Sequence, residues 1–88
     1  MSKEVRATVR EFANTLSDSE LLFVTTRLAD RFAGDLAEGL DFLSKNKNID
    51  ALLCTAHSSE EFYDVVDQIT DVLRQECEKK DLFGSAAA

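Results

Sequence analysis

From Phe62 onward the apolar side chains fall at Val65, Val66, Ile69, Val72, Leu73 and Cys77. Steps of three and four residues put all of them on one side of an α-helix, and a strand would need steps of two. Just ahead lies Ser58-Ser59-Glu60-Glu61. There a Ser58 hydroxyl can accept the N–H three residues on while Glu61 reaches back, the capping box that opens a helix. The spacing predicts a helix from about residue 58 to Lys79-Lys80, whose positive charges suit a C-terminal dipole. This stripe is the strongest periodic signal in the chain. Whatever else folds must cover it.

The same period governs the rest. Val5, Val9, Phe12, Ala13 and Leu16 predict a first helix over about 3–16. Ser17-Asp18-Ser19-Glu20 is a second capping box, and Leu21, Leu28, Phe32, Leu36, Leu40 and Leu43 carry a stripe from there to about 44. Val24-Thr25-Thr26 is β-branched, so residues 21–26 hold a short strand as the alternative to helix. Ser44-Lys45-Asn46-Lys47-Asn48 is polar and is the clearest break; its asparagines suit a left-handed helix end and a new N-cap. Residues 49–56 are mostly apolar and too short to hold as an isolated helix, which makes them a buried turn or two.

The expected architecture is an all-α antiparallel bundle of three principal helices plus the short segment. Residues 1–83 form its single domain, and residues 84–88 a tail of small residues. Absence of proline and the presence of only three glycines argue against a sandwich or barrel built on tight turns. The predicted core is Phe12, Leu16, Leu28, Phe32, Leu36, Leu40, Leu52, Leu53, Phe62, Val66, Ile69 and Leu73, with Leu82 and Phe83 folding back onto it. An unbroken helix over 18–44 would be about 40 Å long at 1.5 Å per residue. That exceeds what its neighbours can cover, so a homodimer is expected. Ala29, Ala33 and Ala37, with Gly34 and Gly39, make a nearly bare strip where another helix can approach; plain helix formers at an indifferent surface are the alternative. Phe23, Phe42 and Leu22 fall off the main stripe and join the alanines as candidate interface residues.

Charge narrows the function classes. Seventeen acids against ten lysines and arginines give a net charge of −7, spread over both halves of the chain. Affinity for nucleic acid rests on phosphate neutralisation, so direct DNA or RNA binding is not expected, and an anionic membrane surface is disfavoured by the same field. No apolar run reaches membrane length. Two cysteines are too few for a disulfide framework, and Met1-Ser2-Lys3-Glu4 leads straight into an amphipathic pattern, so a cytoplasmic protein with reduced thiols is expected.

Glu60, Asp64, Asp67 and Asp71 follow i, i+4, i+7 and i+11, and no basic residue lies between Ser58 and Leu73. Four carboxylates stacked on one face make either a docking stripe for a basic partner or a solvated surface. A third reading sets them against Lys3, Arg6 and Arg10, a matching basic stripe, within one bundle or across a dimer. Cys54-Thr55-Ala56-His57 is the one constellation with potential reactivity. Cys54 and His57 could form a thiolate–imidazole pair, or bind metal together with Cys77 and Glu60 or Glu61. The bland alternative is a core cysteine and a histidine packing on Phe62. Glycine-rich phosphate loops and Gly-x-Ser-x-Gly elbows are absent. The expectation is a non-catalytic adaptor or regulatory module without cofactor that works through protein–protein contact. Its alternatives are a metal or thiol site at Cys54, His57 and Cys77, and an acidic decoy of a nucleic-acid-binding protein.

Overall fold

A computed structural model describes residues 3–30 and 32–83, apart from the Ala33 side chain. Among the described residues the chain is all-helical: α1 Lys3–Asn14, α2 Asp18–Asp30, α3 Ala33–Ser44, α4 Lys47–Leu53 and α5 Ser59–Lys79. The radius of gyration is 12.6 Å. The segment 84–88 expected as a tail lies outside the described residues.

Local chemistry sets most of the helix ends. At the start of α2, the Glu20 N–H donates to Ser17 Oγ (3.2 Å) and the Ser17 N–H donates back to Glu20 Oε1 (2.9 Å), a complete capping box. Asn46 opens α4 by accepting from the Asn48 and Ile49 N–H groups, so this helix starts two residues before the expected 49 and ends three before 56. Ser58 Oγ accepts from the Glu61 N–H (3.1 Å) at the head of α5. The Glu61 carboxylate reaches one residue past Ser58, to the His57 N–H (2.7 Å). At the far end Leu82 N–H donates to Cys77 C=O (2.9 Å) and Asp81 N–H to Glu78 C=O (3.1 Å). That is a Schellman closure with Asp81 in the left-handed position at φ 57°. It turns half-buried Leu82 onto the core as expected, while Phe83 stays 45 % exposed. The asparagine-rich break closes differently: Asn46, which follows the right-handed C-cap Lys45, is extended at φ −93° and ψ 122° and not left-handed.

The largest departure from expectation is in residues 18–44. Instead of one long helix there are two, because Phe32 is extended (φ −70°, ψ 138°) and the chain doubles back. Side chains pair along the resulting hairpin: Phe23 with Phe42 (ring centroids 5.9 Å), Arg27 with Glu38 (3.3 Å), and Leu28 against the Gly39 backbone. The physical reason is burial. A straight rod would strand half its stripe in solvent, whereas the hairpin encloses Leu28 and Leu43 completely. The surplus length that called for a second copy is therefore folded within one chain.

α5 packs against both α1 and α2, α3 packs on α2, and α4 closes the end between α1, α3 and α5. The core they share is Val9, Phe12 and Ala13; Leu21, Val24 and Leu28; Leu43; Ile49 and Leu53; and Val66, Ile69, Val72, Leu73 and Cys77. Among the predicted core residues Phe32 is a correction, since the hinge leaves it 71 % exposed. Leu16, Leu36, Leu40, Leu52 and Phe62 are half-buried at the edge of the core. The strand alternative at 21–26 falls too. Thr25 is buried in α2 with its hydroxyl donating to the Leu21 carbonyl (2.7 Å), so its polar group is satisfied within the helix. Thr70 does the same to Val66 (2.7 Å).

Candidate functional site

α5 is amphipathic along its whole length, and its two faces divide the labour. One buries Val66, Ile69, Thr70, Val72, Leu73, Glu76 and Cys77. On the other, Glu60, Asp64, Asp67 and Asp71 are all exposed. Eleven residues of helix separate the first from the last, about 16 Å along the axis at 1.5 Å per residue. Their helical spacing puts all four on the exposed side of α5. Tyr63 flanks them, 47 % exposed and edge-on to Phe62 (5.6 Å). Sequence reasoning passed over this residue. Its position, three after Glu60 and four before Asp67, was the available signal. An exposed tyrosine beside charge supplies apolar contact area and one hydrogen-bonding group.

Lys3, Arg6 and Arg10 line a shallow groove along α1 together with Ala7. Among the described residues no ion pair joins them to Glu60, Asp64 or Asp71, and Asp67 has an interaction of its own. Ion pairs elsewhere stitch the helices: Arg27 to Glu38 and Asp35 across the hairpin, and Lys80 to Asp18 between the end of α5 and the head of α2. Glu76 is the unexpected member. It is only 8 % exposed, and Lys79 Nζ approaches its Oε2 to 3.1 Å without the geometry of a hydrogen bond.

Cys54, His57 and Cys77 do not converge. Cys54 is exposed at the end of α4, and His57 is exposed in a shallow notch with Phe62 and Tyr63. Cys77 is fully buried between α5 and α2, its thiol 3.4 Å from Thr25 Oγ1 and 4.0 Å from the Leu21 carbonyl oxygen. Among the described residues no group of three or more His, Cys, Asp or Glu side chains is arranged to hold a metal ion.

The candidate interface residues also divide. Ala29 and Ala37 are exposed, while the Ala33 side chain lies outside the described set. Gly34 faces open space, whereas Gly39 is covered by Leu28 within the chain. Phe23 and Phe42 are half-buried against each other, Phe42 also meets Phe12 edge-on, and the Arg27 guanidinium sits 4.8 Å over the Phe23 ring. Leu22 is half-buried. No helix among the described residues is long and apolar enough to cross a membrane.

Asp30 and Asp35 meet where α2 and α3 join. The Asp30 carboxyl is held above its ordinary value of 3.8, first by a hydrogen bond with the Asp35 side chain, then by partial desolvation and the Asp35 charge, with Arg27 opposing.

Comparison of the chain with family models, with curated proteins and with solved structures finds no match.

Proposed function

We propose that this chain is a non-catalytic interaction module whose α5 face docks a partner protein carrying a basic surface. The observation that supports it is the exposed run Glu60, Asp64, Asp67 and Asp71 on the longest helix, with Tyr63 beside it. Carboxylates at helical spacing present a one-signed field that accelerates encounter with a cationic surface and selects its orientation. Tyr63 adds the apolar anchor that charge alone lacks. The scaffold beneath is an antiparallel helical bundle whose packed face on α5 holds the docking face straight. Two cysteines are too few for a disulfide framework, and the proposed place of action is the cytoplasm.

The test is capture and identification of the partner from native extract, followed by its affinity for wild type and for the Asp64→Lys/Asp71→Lys double variant. Both substitutions are on exposed positions, so circular dichroism and melting should be unchanged. Affinity should fall at least tenfold and should weaken steeply between low and physiological salt. Equal affinity of the two proteins would remove α5 from the interface.

A further inference from the structure

We propose that the α2–α3 hairpin is one of two states of a single helix: opening at Phe32 makes residues 18–44 continuous, and two copies of this chain then exchange their α3–α5 segments in a domain-swapped dimer. The proposal does not depend on the acidic face of α5.

The turn at Phe32 lacks what the other turns have. α2, α4 and α5 each begin with a side-chain oxygen accepting a backbone N–H, from Ser17, Asn46 and Ser58. α3 begins at Phe32, which offers no side-chain cap and leaves an aromatic ring 71 % exposed. Meanwhile the helical pattern runs through the turn without interruption. Leu28, Phe32, Leu36 and Leu40 continue at four-residue steps, no proline intervenes, and Gly34 lies past the turn inside α3. The hairpin also sets the Asp30 carboxyl near enough to Asp35 for that neighbour to raise it above its ordinary value. In a continuous helix five positions separate them onto different faces. Local chemistry at this point favours helix, and the turn is held by the packing on either side of it.

That packing can be supplied by a second copy. Phe23 with Phe42, Arg27 with Glu38, and Leu28 over Gly39 are contacts between α2 and α3. An α3 arriving from another chain makes the same set, as do α4 and α5 travelling with it. Only another copy of this sequence carries the matching surface, which identifies the occupant. Exchange therefore leaves the core intact, continues the helical hydrogen-bond ladder of α2 into α3 in both chains, and is opposed by the entropy of association. Exposed Ala29, Ala37 and Gly34 leave room for two straightened helices to pass near their midpoints.

The decisive variant is Ala33→Pro. Residue 33 is the first of α3, where proline is well tolerated, and the preceding Phe32 already has the extended backbone proline requires. In the continuous helix the same proline removes a hydrogen bond and strikes the Ala29 carbonyl, a penalty of roughly a hundredfold per hinge and about ten-thousandfold for a dimer with two. Sedimentation and native mass spectrometry across protein concentration should show a wild-type dimer that accumulates with concentration and exchanges subunits slowly. Ala33→Pro should remain monomeric throughout, with unchanged helix content. A wild type that stays monomeric at the highest soluble concentration, or a dimer that survives Ala33→Pro, overturns the proposal. A second variant keeps the question open to test if the proline impairs folding. Phe23→Cys/Phe42→Cys in a Cys54→Ser background, oxidised in the isolated dimer fraction, should give a covalently linked dimer on a non-reducing gel. Monomer-sized bands alone would mean the hairpins stay closed within each chain.

Discussion

Gly39 and Gly34 both lie in α3, and replacing each by alanine should move stability in opposite directions. A Cβ at Gly39 would lie 2.9 Å from Leu28 Cδ2, 3.1 Å from Leu28 Cγ and 3.3 Å from Arg27 Cβ. Carbon atoms are comfortable at about 3.5–4.0 Å. The Leu28 methyl could rotate away in a looser site, but Leu28 is fully buried, and the Arg27 Cβ moves only with the α2 backbone. Relief thus means an off-rotamer leucine or a retreat of α3, and overpacking of this kind costs about 1–3 kcal/mol. Against it stands a helix-propensity gain of about 1 kcal/mol. The net expectation for Gly39→Ala is a loss of about 1 kcal/mol. At Gly34 nothing lies within 4 Å of the added methyl. Only the propensity gain remains there, about 0.5 kcal/mol so near the start of a helix. For a domain of this size about 1 kcal/mol corresponds to roughly 4–8 °C, so the two melting temperatures should separate by roughly 6–12 °C. Thermal unfolding followed by circular dichroism at low protein concentration measures this directly. If both alanines raised the melting temperature, α3 would not approach α2 as closely as the structure has it.

Removing the titration at the hinge should be visible as pH dependence. Because the native Asp30 carboxyl is held above 3.8, the folded chain binds more protons than the unfolded one just above that pH. The stabilisation it gives is complete below the unfolded value and is lost as pH rises through the folded one. Asp30→Asn should flatten that fall when denaturant midpoints are compared across a pH series from about 3 to 7; parallel curves would count against the Asp30–Asp35 contact. Glu76→Met should stabilise by about 1 kcal/mol, since it removes a buried carboxylate oxygen without a hydrogen bond and leaves only Lys79, which is 63 % exposed. A lower urea midpoint would show the Lys79 pairing to be net favourable. Asn46→Ala should cost about 1 kcal/mol, because its side chain accepts from two N–H groups at the head of a seven-residue helix. An unchanged midpoint would mean water replaces the cap without penalty.

What could be read from the sequence was what local chemistry decides. Ser17-x-x-Glu20 and Ser58-x-x-Glu61 marked two helix starts to within a residue, because a cap is made by side chains three positions from the groups they satisfy. The stripe from Val66 to Cys77 identified the buried face of α5, and with it the exposed carboxylates opposite. The break at Phe32 was only faintly marked, since residues 27–37 carry a helical period and Gly34, the residue that could interrupt it, lies two positions past the turn. It is imposed from a distance, by the gain from pressing Phe42 and Gly39 onto Phe23 and Leu28. The same blindness explains Phe32 as a predicted core residue and Leu43, Ile49 and Val72 as fully buried residues left off that prediction. Cys54 and Cys77 were grouped by spacing to a histidine. Their separation into solvent and core depends on which helix covers which, and one-dimensional spacing holds no record of that.

The unequal burial of the two thiols makes the molecule its own clock. Toward a disulfide reagent, Cys54 should react at the speed of a free thiol in every conformation, while Cys77 must wait until α5 parts from Thr25 and Leu21 of α2. The ratio of the two labelling rates is then a direct reading of how often that seam opens in native buffer, with the exposed thiol correcting for reagent and pH. One tube, two sulfurs and a mass spectrum would report the seam's opening free energy at a single residue.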